Sequence, residues 1–567
     1  YLQSTPQDSG YWLLGTPSFD SSSSLTDSGA VTWLNASTGT LYGNGYIQGA
    51  ISSANSLLGA TASERFGVLE ITGSNSLDLA RPANQGVILL SPGFDNGVVA
   101  DVGALSWMSY GSGRVGVLGS DLALVGSSTG DLNQVSVSTS YGNTIAFFPE
   151  WHLTTASPSA PAGTSVGALA WINGNTGTLA NGSSGAVIGD VALRGAGAGD
   201  FTDYSIQFLG NNAIVFTPKW DLDTATLDVG AASWINMANG ALVSSGATPV
   251  SSGQIGPSVS LVGSHSGDFA GFSWQPLNNN AALLITPGWD SSTSPDVGAA
   301  TWLNVATGRL GSADAATAPP ISQAIGPAQS LVGGSQGDFA DQFLEYAGPN
   351  RLLFTPRFDR GGVQDAGALT WINATTGLFS DGATAGAIDS SRSLLGSSTG
   401  DFSGAYVISA GANQLVLAPA LDFGGVQDAG SLSWINTSTG LLGDGSTGGE
   451  IGISNSLLGS SAGDLNNLYI RPLNGGAVLL STPRWGGGLT VDLGALTWLN
   501  PASGAYADGS SGGLISTANS LLGTHFNPSD TTDQYYAVNE FSSSPGSASL
   551  LIYSQYWNPS FTSATAA

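Results

Sequence analysis

One stretch of this chain is written eight times, and its clearest copy is Asp365-Ala366-Gly367-Ala368-Leu369-Thr370-Trp371-Ile372-Asn373-Ala374-Thr375-Thr376-Gly377. Its tryptophan recurs as Trp33, Trp107, Trp171, Trp234, Trp302, Trp371, Trp434 and Trp498, at intervals of 63 to 74 residues. A period of that length means one supersecondary unit stacked on copies of itself, because a unit so small has no means of burying its own apolar faces. The 567 residues are therefore expected to form a single β-repeat array, although length alone would suggest several domains.

Between tryptophans the same four segments return in order. The first is apolar and extended, as in Leu352-Leu353-Phe354-Thr355-Pro356-Arg357-Phe358-Asp359, and its proline confines that end to an edge or a strand terminus. The tryptophan segment follows, alternating small or polar with large apolar positions, as a half-buried strand does. From tryptophan to the closing glycine the distance is constant: Gly39, Gly113, Gly177, Gly240, Gly308, Gly377, Gly440 and Gly504. Asn-x-x-(Thr/Ser/Asn)-Gly after a strand is a turn whose glycine supplies positive φ, so a hairpin is expected there. A third strand reads Asn-Ser-Leu-Leu-Gly at Asn455 to Gly459, and a Gly-Asp turn then leads to a fourth, such as Tyr406 to Ser409.

Four short antiparallel strands per unit, with tight turns and no helical periodicity, predict an all-β fold of eight tandem units. The expected arrangement is an eight-bladed β-propeller, with an open stack of sheets or a β-solenoid as the alternative, since a repeat does not itself reveal closure. The units centred on the eight tryptophans span residues 21–530. At the ends, residues 1–20 and 531–567 each carry another fourth-strand and first-strand pair: Tyr1 to Gln3 with Tyr11 to Leu14, and Tyr535 to Val538 with Leu550 to Tyr553. Nine such pairs accompany eight tryptophan segments, so one hairpin is surplus. It is expected either to cap the array or to pair with the exposed sheet edge of another molecule.

The run Asp-x-Gly-Ala-x-Thr-Trp-x-Asn-x-x-Thr-Gly followed by Asn-Ser-Leu-Leu-Gly resembles the repeats of exported bacterial surface proteins of the filamentous-haemagglutinin type. The resemblance implies an adhesive or structural role at the cell surface or outside the cell, with no catalytic residues to carry over. A looser likeness is to the Asp box of sialidase-type propellers. There the segments Asp27 to Trp33, Asp101 to Trp107 and Asp492 to Trp498 carry one residue more between Gly and Trp than that motif does.

The charge balance narrows the partners. With a formal net charge of -27 and Lys219 as its single lysine, the chain repels phosphate backbones, so nucleic acid is not expected as a partner. There is no cysteine, hence no disulfide and no thiolate metal site. No apolar run approaches the ~18 residues that would span a bilayer. The start at Tyr1, without Met, is what a mature exported chain with its signal removed would show. The aspartates recur in turns, where a short carboxylate bonds nearby backbone. Asp131, Asp200, Asp268, Asp338, Asp401 and Asp464 of the Gly-Asp turns are read either as structural or as ligand turns, with calcium the cation they would take.

An enzyme is not expected. Arg351, Arg357 and Arg360 fall in one unit, whereas a sialidase-like site gathers arginines from several. The aspartates obey the repeat, whereas catalytic groups should break it. The most conspicuous break is Phe147-Phe148-Pro149-Glu150-Trp151-His152, where His152 replaces the usual aspartate and Ser165 replaces another. Glu150 and His152 are the pair to consider for acid/base work on a glycan. His265 and His525 are read as turn residues. Asn35, Asn181, Asn373 and Asn436 head glycosylation triplets, three of them in turns that demand Asn for their own reasons. The expected function is a non-enzymatic structural or adhesive protein that self-associates or meets other surface proteins and glycans. The competing class is a lectin-like binder with Tyr42, Tyr110 and Tyr506 as exposed aromatic platforms, and a glycan hydrolase comes third.

Overall fold

The structure is a computed structural model that describes residues 2–4, 10–42, 45, 47–67, 86–244, 249–311, 319–473, 476–488, 492–523, 540–542 and 551–553. The seventh unit shows the plan. A lead strand, Tyr406–Ala410, turns into the strand Asn413–Ala418, which pairs with the tryptophan strand Ser431–Ile435, which in turn pairs with the leucine strand Ser456–Leu458, all antiparallel. In each of the eight units the second strand stops at the residue before a proline, here Ala418 before Pro419, because a proline has no N–H to continue the ladder. We call it the proline strand.

Each of the first seven sheets also holds a strand that the four-stranded expectation lacked. Gly513–Leu514 of the eighth unit lies parallel to the leucine strand of the seventh, with Leu457 opposite Gly513 and Leu458 opposite Leu514. The same reach-back strand joins Gly116–Val117 to the first unit's sheet, Gly253–Gln254 to the third, Gln323–Ala324 to the fourth and Gly449–Glu450 to the sixth. These seven sheets are therefore mixed, and every unit from the second onward completes the sheet of its predecessor. The residue after each reach-back strand is an apolar anchor. Ile451 N–H donates to Leu395 and Ile515 N–H to Leu458, and both side chains are buried.

Eight such sheets and one two-stranded hairpin are found among the described residues, with a single helical turn, Ile188–Val191. Contacts divide the chain into two compact bodies. One comprises residues 1–270, 305–310 and 319–325, and holds the first four sheets. The other comprises residues 271–304, 311–318 and 326–567, and holds the last four sheets with the hairpin. Within each body the apolar cores lie between successive sheets, as where Trp371 and Leu352 of one unit meet Val416 and Ile435 of the next.

The surplus hairpin falls at the C-terminal side. Leu2–Ser4 and Tyr11–Thr16 belong to the first sheet as its lead and proline strands. Glu540–Ser542 and Leu551–Tyr553 instead pair with each other and, among the described residues, with no other strand. The expected strand at Tyr535 to Val538 lies outside the described residues, as does His525.

Candidate functional site

Seven of the eight tryptophans meet seven of the eight glycines at the junctions between units. The Trp371 ring packs on Gly440 of the next unit, so closely that a Cβ on that glycine would lie 2.6 Å from the indole. The same pairing joins Trp33 to Gly113, Trp107 to Gly177, Trp171 to Gly240, Trp234 to Gly308, Trp302 to Gly377 and Trp434 to Gly504, at 2.4 to 2.8 Å. These glycines also take φ between +66° and +76°, so both the backbone and the approaching ring require the missing side chain. Seven of the tryptophans are 4–8% exposed.

A carbonyl of the following unit fixes six of the rings in azimuth. Trp371 Nε1 donates to Thr437 O at 3.0 Å, and Asn350 Nδ2 donates to the same oxygen at 2.8 Å. Trp434 and Asn413 share Pro501 O in the same way, and Trp171 and Asn143 share Met237 O. Trp33 and Trp234 donate to Tyr110 O and Val305 O. Trp107 departs from the pattern, since its buried Nε1 has no partner.

The six turn aspartates are fully buried and belong to a second device. Asp401 Oδ2 accepts the N–H groups of Ser397 and Ser398 at 2.6 and 2.8 Å, while Oδ1 accepts that of Asp422 at 3.0 Å. One carboxylate thus ties the end of the leucine strand to the end of the next unit's proline strand. Asp131, Asp200, Asp338 and Asp464 make the same three bonds, and Asp268 Oδ2 accepts Ser264 N and His265 N. A calcium ion here would compete with N–H donors for the same lone pairs. Burial pushes Asp338, Asp401 and Asp464 up from the ordinary carboxylate range, with the N–H bonds pulling the other way. Asp200 is pushed up to about 7, by burial first, against its bonds from Gly197 and Ala196 and with the Asp221 charge adding to the rise.

Residue identity hid one member of this set. Glu64 does the same job in the first unit, accepting Ala60 N at 2.7 Å, Thr61 N at 3.1 Å and Ser91 Oγ at 2.6 Å. The available signal was its place five residues after Gly59, the place that Asp401 holds after Gly396.

A third clamp uses the aspartate that follows the proline strand in six of the units. Asp422 Oδ1 accepts Asp428 N at 2.8 Å, and Asp428 sits at φ 51°. Asp20, Asp95, Asp221, Asp290 and Asp359 hold Asp27, Asp101, Asp228, Asp296 and Asp365 in the same way. In the third unit both partners change together, to His152 and Ser165, which face each other in a backbone bridge instead. His152 Nδ1 lies 2.8 Å from Asp131 Oδ1, so the imidazole turns inward. Glu150 is half-buried and accepts Gln134 Nε2 at 2.8 Å. No hydrogen bond or ion pair joins Glu150 to His152, so the acid/base pair considered from the sequence is not brought together.

The three arginines also diverge. Arg351 is buried beneath the Tyr346 ring and donates to Leu277 O, Arg357 pairs with Asp341, and Arg360 pairs with Glu450. Of the aromatic platforms, Tyr42 is exposed, Tyr110 is half-buried, and Tyr506 corrects the expectation by being 2% exposed. It stands eight residues after its tryptophan, where other units carry the buried Leu442 or Phe379, and it fills the same core. A surface pocket of about 440 Å³ is lined by Ser397, Ser398, Asp422, Phe423, Gln427 and Glu450.

Against known proteins, the family described as "Repeat of unknown function (DUF5650)" matches residues 8–68, 83–135, 210–272, 276–342, 350–405, 409–466 and 472–531. The third unit, with His152 and Ser165, falls in the gap between the second and third matches. No curated protein matches the chain.

Proposed function

We propose, for a chain that belongs to the DUF5650 repeat family, a structural or adhesive role carried by the array itself and not by a reactive centre. One observation carries this reading: the residues that define the repeat are spent on junctions. The tryptophans and glycines pack unit on unit, and the recurring aspartates accept backbone N–H groups. A surface poor in lysine and arginine, rich in Ser, Thr, Asn and Asp, suits a protein placed outside the cell, where few tryptic cleavage points are an advantage. No helix among the described residues is long and apolar enough to cross a membrane.

The second reading is a carbohydrate binder. The pocket beside Phe423, with carboxylates at Asp422 and Glu450, supports it. Imaging the purified chain by electron microscopy and screening it on a glycan array, with and without chelator, separates the two. Filaments or sheets without glycan capture are expected. Chelator-sensitive glycan binding by isolated particles would favour the second reading, and release of reducing ends lost in Glu150→Gln would favour a hydrolase.

A further inference from the structure

Each internal junction has a giving side and a receiving side. The giving side is a tryptophan and the open edge of a leucine strand. The receiving side is the glycine six residues after the next tryptophan, the carbonyl beside it and the reach-back strand. The array therefore leaves one of each unused, and both are visible.

At the eighth unit, Trp498 is 37% exposed where its seven counterparts are nearly buried. Leu521, in the leucine strand Ser520–Leu522, is 56% exposed, whereas its counterparts Leu57, Leu331 and Leu457 are fully buried. No reach-back strand lies beside Ser520–Leu522 among the described residues.

At the first unit the complementary parts are open. A Cβ built on Gly39 meets nothing within 4 Å, although Gly39 has the same left-handed φ of +67° as its counterparts. Ala36 is exposed where the equivalent Met237, Val305 and Ala374, whose carbonyls receive indoles, are buried. Ile47, whose N–H donates to Gly39 O as Ile321 N–H donates to Gly308 O, is 59% exposed while Ile321 is fully buried. Gly49 and Ala50 are exposed, outside any strand, and Ile51 precedes Leu57 by the same six residues that separate Ile515 from Leu521.

We propose that the eighth-unit face at Trp498 and Ser520–Leu522 receives the first-unit face of a second copy, so that the junction built inside the chain is repeated between chains. Trp498 packs on Gly39 of the incoming copy and donates its Nε1–H to Ala36 O. Gly49–Ala50 pairs parallel with Leu521–Leu522. The contact is heterologous, since the two faces differ, and it leaves a free face at each end of the dimer for further copies. The proposal rests on the structural role above and gives it a mechanism of assembly.

Two variants test it on the whole chain. Ile51→Pro removes the N–H that would bond Leu522 O, and Leu521→Lys puts a charge on the exposed edge. Analytical ultracentrifugation of the wild-type chain is expected to show species that lengthen with concentration. Each variant alone is expected to remain monomeric over that range with unchanged circular dichroism. Mixed together they are expected to form a one-to-one dimer and nothing longer, because each keeps one intact face. A wild-type chain that stays monomeric overturns the proposal. If the two changes also lower the monomer's melting temperature, the faces close within one chain instead. Oligomers that survive both variants but vanish on deleting residues 531–567 would assign assembly to the terminal hairpin, overturning this junction while leaving the structural role intact.

Discussion

Replacing Gly377 by alanine isolates what the tryptophan junction demands. Two penalties coincide at this position. The backbone holds φ at +74°, which costs an alanine roughly 1–2 kcal/mol because its Cβ crowds the carbonyl. The new Cβ would also sit 2.6 Å from the Trp302 ring, an overlap that can be relieved only by shifting a buried indole, at about 1–3 kcal/mol. Together Gly377→Ala is expected to cost about 2–5 kcal/mol. Gly382, a few residues on, is the control. Its φ is +82° but a Cβ there meets nothing within 4 Å, so Gly382→Ala should cost only the backbone share, about 1–2 kcal/mol. Urea unfolding followed by tryptophan fluorescence and by circular dichroism gives both values at protein concentrations low enough to exclude association. Coincidence of the two probes establishes that one transition is being measured. Equal losses in the two variants would refute the argument that ring contact, and not turn geometry alone, fixes glycine in the repeat.

Three further outcomes are expected. Trp371→Phe keeps a ring over Gly440 but loses the indole donor; because Asn350 still bonds Thr437 O, the loss should be only about 1–2 kcal/mol in the same assay. Asp401→Asn leaves an amide NH₂ facing a backbone N–H in a fully buried turn, and should cost about 1–3 kcal/mol, with faster hydrogen exchange at Ser397, Ser398 and Asp422. Asp200 titrates near 7 when folded against about 4 when unfolded, so the stability it contributes is whole below pH ~4 and is lost as pH rises through 7. Melting temperature against pH should show that fall, and Asp200→Asn should flatten it; an unchanged slope would remove Asp200 as its source.

The parts of this fold that were legible in the sequence are those in which one residue type has one job. Tryptophan marks the junction, proline marks the end of a strand, and the glycine six residues past each tryptophan marks the point of closest approach. The reach-back strand was not legible, because two paired residues are too few for any alternation to appear. Its trace was nevertheless present: an isoleucine or leucine recurs six residues before the first leucine of the leucine strand, as Ile51, Leu118, Ile255, Ile325, Ile388, Ile451 and Ile515. Tyr506 was misread as a platform because a tyrosine in a turn suggests exposure, while its position in the repeat said core. The Gly-Asp turns are visible in the sequence, but whether their carboxylates face solvent or backbone depends on a turn geometry that residue names do not carry.

A sheet finished by a strand from its successor also dictates an order of events. As the polypeptide grows or emerges from its amino end, the newest sheet always waits for nearly another full repeat before its last edge is covered, since Leu457 must wait for Gly513. Maturation therefore trails chain elongation by one module. A chain interrupted at any point would leave one leucine strand uncovered, always in the last sheet it had formed.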